Sequence, residues 1–259
     1  MMSRIIIILG LTVLLASCVT TNDSSLSRNA DPEVALERYV NLGFEYIKRE
    51  DFTRAKKHLN RALEIDDDNA PANSALGLIY SRQGDKEIAE KMFKKAIAAD
   101  PTYTRGRTYY AAYLFTEGRF ETALEQFLIA AEDTTFPSRS QLYTNIALCQ
   151  IRLDKPDAAI LAYERALQLD RFNSNALAGM TEVLLTKNDF KRAQFYYNRL
   201  VNQIAQQALT HSAQTLWQGV RIAKHFNAVK QAESLAALLR ELYPDSQEYK
   251  NYLSLYFGK

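Results

Sequence analysis

Few side chains in this 259-residue sequence have the type and spacing for chemistry. Its three histidines, His58, His211 and His225, are scattered and lack metal-ligating spacing such as H-E-x-x-H. They read as surface or interface residues. The run Asp66-Asp67-Asp68 could attract a cation, but it lacks the Gly and the distal Glu of a calcium-binding loop. Helix capping explains it better. Cys149 sits mid-helix in Leu148-Cys149-Gln150 and reads as a partly buried small residue. There is no glycine-rich phosphate loop, no G-x-S-x-G and no nucleophile–base pair. Catalytic residues, a metal site and a cofactor are therefore all expected to be absent. The chain reads as a binding module and not as an enzyme.

Cys18 has a more specific setting. Met1-Met2-Ser3-Arg4 is a short basic region, Ile5 to Leu15 an apolar run, and Ala16-Ser17-Cys18 a small-residue cleavage region. Eleven residues of helix span ~16 Å against ~30 Å of hydrocarbon, too short to cross a bilayer unaided. Leu15-Ala16-Ser17-Cys18 resembles the lipobox of bacterial lipoproteins. That resemblance implies a signal peptide at 1–17, diacylglycerol on the Cys18 sulfur and an acylated new amino terminus. Cys149 would then have no disulfide partner within the chain. Residue 19 is Val and not Asp, which for a Gram-negative source implies an outer-membrane destination, on the periplasmic face. Residues 18–31 are polar, rich in Ser, Thr and Asn, and read as a lipidated tether. Asp31-Pro32-Glu33 then marks a helix start: N-cap, Pro at the first position, acid in the first turn.

The elements that carry these residues follow a repeat. Gly43 and Gly77 are 34 residues apart, as are Tyr46 and Tyr80, Ala55 and Ala89, and Ala62 and Ala96. The next step falls on Ala111, Leu114, Ala123 and Ala130. A fixed period of this size sets the whole fold. The pattern resembles the tetratricopeptide repeat (TPR), a helix-turn-helix unit, over about residues 32–244. It predicts an all-α fold, a superhelical α-solenoid of about six units: 36–69, 70–103, 104–139, 140–173, 174–212 and 213–244. The spacing lengthens by two residues before the fourth unit and by about five before the sixth. Arg82-Gln83-Gly84-Asp85, Glu117-Gly118-Arg119, Asp154-Lys155-Pro156 and Lys187-Asn188-Asp189 are turn signals inside units. Residues 245–259, with Tyr249, Tyr252, Leu253, Tyr256 and Phe257, are expected to form a capping helix over the last repeat.

Composition agrees. Nine Gly and six Pro are too few for an all-β chain of tight turns. A formal net charge of +2 argues against a dedicated nucleic-acid binder. No small-molecule substrate is indicated.

In the TPR family the first helix of each unit lines a concave groove. Transferring its inward positions selects Val40, Phe44, Ile47, Ser74, Leu78, Phe115, Leu148 and Ile151 as a partner-binding groove, with Arg105, Thr108 and Ala112 also facing inward. Phe44, Ile47, Leu78 and Phe115 are expected to form an exposed apolar patch. A second candidate patch is Trp217 with Arg221 and Lys224, residue types common at interface hot spots. Val40, Phe44, Ser74 and Leu78 stand where carboxylate-clamping TPR domains carry Lys, Asn and Arg. An amphipathic helix or extended apolar segment suits this groove better.

A lipobox, six TPR units and a terminal helix together resemble the type IV pilus pilotin family, PilF/PilW. That resemblance implies a non-enzymatic outer-membrane scaffold that binds the secretin subunit and promotes its localisation and multimerisation. Other TPR lipoproteins stay open: a BamD-like assembly factor, a TadD-like pilus factor, or a regulator of cell-wall enzymes.

Overall fold

The computed structural model describes residues 31–207 and 210–258, apart from the side chain of Phe257. The leader 1–17, Cys18 and the tether up to residue 30 lie outside the described residues. Among the described residues thirteen helices follow one another: α1 (Pro32–Lys48), α2 (Phe52–Ile65), α3 (Ala70–Gln83), α4 (Lys86–Ala99), α5 (Thr104–Thr116), α6 (Phe120–Ala131), α7 (Arg139–Arg152), α8 (Pro156–Leu169), α9 (Ser174–Thr186), α10 (Phe190–Gln206), α11 (Ala213–His225), α12 (Val229–Leu242) and α13 (Gln247–Phe257). No strand occurs among the described residues. The first twelve helices form six antiparallel pairs, and α13 packs on α11 and α12.

Each pair turns on one left-handed residue: Glu50, Gly84, Gly118, Asp154, Asn188 and Asn227. The next amide reaches back five residues to close the turn. Asp51, Asp85, Arg119, Lys155, Asp189 and Ala228 donate to the carbonyls of Tyr46, Tyr80, Leu114, Gln150, Leu184 and Ala223 at 2.8–3.0 Å. This Schellman closure satisfies carbonyls that a helix end leaves orphaned. The same amide-donating residues are the N-caps of the second helices. One motif thus ends one helix and starts the next.

Small residues set the spacing within pairs. Ala55, Ala89, Ala123, Ala159, Ala193 and Ala232 occupy equivalent sites on the second helices, and all are buried. A Cβ on Gly77 would meet the Phe93 ring at 2.8 Å, and one on Gly43 would collide with Leu59. Leu59, Phe93, Phe127, Tyr163 and Tyr197 then fill the space between helices.

The two irregular spacings are absorbed differently. Three links between pairs keep a short form of four residues, Asp66–Asn69, Asp100–Tyr103 and Asp170–Asn173. The link 132–138 is longer, and it is held down: Asp133 accepts from the Thr135 amide at 2.9 Å and from Thr104 Oγ1, at the start of α5, at 2.7 Å. The second irregularity lengthens α10, which has 17 residues against 14 in α8.

The pairing of helices determines the curvature. First helices touch their counterparts in sequence (α1 with α3, α3 with α5, and so on to α11), while no two second helices pack on each other. Helices that touch lie on the inside of a bend. The concave face of the superhelix therefore belongs to α1, α3, α5, α7, α9 and α11.

Candidate partner-binding groove

The transferred inward positions divide into three groups. Val40, Ile47 and Ser74 are buried. This corrects the expectation that they line an open groove. Val40 and Ile47 belong to the core shared by α1 and α3, while Ser74 faces Gly106 of α5 and its Oγ donates within its own helix to the Pro71 carbonyl at 3.0 Å. Phe44, Leu78 and Phe115 are half-buried. Leu148 and Ile151 are exposed, at 41% and 39%.

The half-buried residues do come together. Phe44 of α1 reaches past α3 to Tyr109 of α5, with ring centroids 6.4 Å apart. Leu78 packs against the core of the first two pairs and also against the core of the following pairs. Two arginines border this apolar floor. The Arg105 guanidinium lies 5.9 Å from the Phe44 ring. The Arg152 guanidinium lies 5.5 Å from Phe115 and 5.3 Å from Phe120. Tyr109 and Arg152 are not inward positions in the family pattern. Each follows one directly (Thr108 and Ile151) and meets the aromatic floor, Tyr109 at Phe44 and Arg152 at Phe115.

The second candidate patch is closed. Trp217 is only 8% exposed. Tyr252 and Tyr256 of α13 meet its ring edge-on at 6.4 Å each. Arg221 donates to Glu182 at 2.5 Å and lies over Trp217, while Lys224 lies 4.9 Å from the Tyr256 ring. Trp217 and the terminal tyrosines, read from sequence as two features, are partners of each other. The patch is the seat of the cap and offers no free tryptophan.

The remaining titratable groups serve packing. His58 stacks on Tyr39 and Tyr46, and His225 on Phe190 at 3.7 Å. The His211 carbonyl accepts from Tyr243 Oη at 2.6 Å. Asp66 caps the end of α2, and Lys95 approaches Asp68 at 3.4 Å and Asp67 at 3.9 Å. Cys149 is fully buried, and burial pushes its thiol up to about 11. A thiol held protonated is a poor nucleophile. Among the described residues no three His, Cys, Asp or Glu side chains group to hold a metal ion.

An inner surface with an apolar floor and a basic border has the chemistry of a polypeptide-binding site. Residues 34–102 and 103–175 match two models of the tetratricopeptide repeat family. The type IV pilus assembly protein PilF of Pseudomonas aeruginosa is 30% identical over 250 residues, which cover 96% of this chain and 97% of that protein. The chain belongs to the PilF family of tetratricopeptide repeat proteins. The solved structure of P. aeruginosa PilF superposes with a TM-score of 0.80 at 30% identity, covering 86% of this chain and 99% of that one. PilW, a type IV pilus biogenesis factor, gives a TM-score of 0.73 at 20% identity over 84% of this chain and 98% of its own, which speaks for the fold alone. The family models stop at residue 175, so the fifth and sixth pairs rest on geometry: the left-handed turns at Asn188 and Asn227 and the buried alanines 193 and 232 repeat the earlier pattern.

Proposed function

We propose that this chain is a non-enzymatic scaffold for type IV pilus biogenesis that grips the outer-membrane secretin subunit and promotes its localisation and multimerisation. The observation that carries this reading is the near full-length similarity to PilF, joined to a concave face with an apolar floor. A lipidated Cys18 at the periplasmic face of the outer membrane completes it. Acyl chains contribute ~0.8 kcal/mol per buried CH₂, and more than one chain gives stable anchoring. Anchoring confines the groove to a thin layer at the membrane. That raises the effective concentration of each captured subunit for assembly.

The test is a charge placed in the floor. Phe44→Glu and Leu78→Glu are expected to abolish secretin multimers and twitching motility while the protein stays helical and at its normal level. Persistence of both with the fold intact overturns the groove assignment. Cys18→Ser is expected to leave a folded protein that no longer fractionates with the outer membrane. Unchanged fractionation removes the anchor from the scheme. Recovery of cell-wall enzymes and no secretin, by crosslinking from groove positions in living cells, replaces the secretin with another partner.

A further inference from the structure

A pocket on the concave face is shaped for a side chain. Ala112, Phe115 and Thr116 of α5, Phe127 of α6, and Asn145 and Leu148 of α7 enclose about 160 Å³. An apolar cavity of ~150 Å³ accepts a benzene ring. A Leu, Ile or Phe side chain therefore fits. The pocket is open to the groove, since Ala112, Thr116 and Leu148 are exposed.

Its border carries charge. Phe115 and Phe120 meet edge to face at 5.2 Å, and the Arg152 guanidinium rests against both rings. Arg152 is exposed, and no carboxylate pairs with it among the described residues. Arg105, further along the floor, likewise has an aromatic neighbour and no carboxylate. Arg221, by contrast, pairs with Glu182 across the fifth and sixth units. A guanidinium held in place on an aromatic pair, beside an apolar hole, complements a ligand that brings an apolar side chain and a carboxylate together.

We propose that this pocket is a specificity subsite for a polypeptide segment that inserts one large apolar side chain between α5 and α7 and sets an Asp or Glu, within about one helical turn of it, against Arg152. The inference rests on the reading that the concave face receives a protein partner. It does not depend on that partner being a secretin.

The test uses a random 12-residue peptide library displayed on phage and panned on the full chain, with Ala112→Trp as counter-selection. Ala112 is exposed, so the tryptophan fills the pocket without disturbing the core. Circular dichroism and thermal melting check that both variants fold like the parent. Peptides selected by the parent and not by Ala112→Trp are expected to carry Leu, Ile or Phe with an acid one to four positions away. Arg152→Glu is expected to weaken them at least tenfold, and replacing the peptide acid by Lys is expected to restore binding to that variant. Three results overturn the proposal: no enriched sequence, an enriched class without the acid, or binding indifferent to Arg152→Glu. Because the library contains no secretin, these failures are distinct from loss of the pilus role, which Phe44→Glu tests in the cell.

Discussion

Glu90 joins three elements through one carboxylate. It accepts from Arg119 at the start of α6 at 2.8 Å, from Tyr110 of α5 at 3.2 Å, and pairs with Lys94 on its own helix at 2.9 Å. The hydrogen bonds from Arg119 and Lys94 hold it from the ordinary value of 4.5 down to about 2. A carboxyl group lowered by folding stabilises the fold above its unfolded value and loses that contribution as pH falls toward the folded one. Stability is therefore expected to decline between pH 4.5 and 2 in the parent. Glu90→Gln is expected to be less stable at pH 7 and to flatten this acid decline, as measured by urea unfolding at a series of pH values. An unchanged acid limb removes Glu90 from the junction. At the same scale, Glu50 shows a residue overruled by its position. It takes the left-handed conformation at φ 58°, which costs a non-glycine residue ~1–2 kcal/mol, because the turn between α1 and α2 requires it.

At the level of the element, α13 decides what becomes of the end of the stack. The last pair would otherwise leave Leu216, Trp217, Val220 and Leu239 with a bare face. Tyr249, Tyr252 and Tyr256 cover it. Ser246 starts the helix by accepting from the Tyr249 amide at 3.2 Å. The chain has a single tryptophan, so Trp217 reports on the cap alone. Removal of residues 245–259 is expected to shift its emission to the red and to lower the melting temperature, and Tyr252→Ala with Tyr256→Ala to do so in part. Blue emission retained after truncation means that something other than α13 covers the ring.

Across the whole molecule, each pair packs its helices on its neighbours, and Phe44 reaches one unit further to Tyr109 and Arg105, so disturbance should stay local. Phe93 is 1% exposed and packs on Tyr110 and Tyr113 of the next unit at 5.7 and 5.5 Å. Phe93→Ala is expected to cost ~3–5 kcal/mol. Hydrogen exchange should speed up in α3 to α6 and change little in α9 to α12. A uniform rise along the chain means one cooperative unit in place of a stack. This local coupling suits a scaffold, because a partner can order the units it touches without remodelling the rest.

The period, the small residues that allow close approach, and most of the turns were legible in the amino-acid order, since each depends on neighbours within one helical hairpin. The left-handed residues and the buried alanines keep the same irregular spacing, which is why both insertions could be read without coordinates. The openness of the groove was not legible. Val40, Ile47 and Ser74 share a family position with lining residues, yet the packing of successive first helices buries them, Val40 and Ile47 between α1 and α3 and Ser74 between α3 and α5. Nor were the meetings of Tyr109 with Phe44, of Arg152 with Phe115 and of α13 with Trp217 legible, since each joins different units. Contacts inside a hairpin follow from helical geometry and residue size. Contacts between units follow from a rotation that accumulates over many residues, and only the assembled superhelix fixes where that rotation places a side chain.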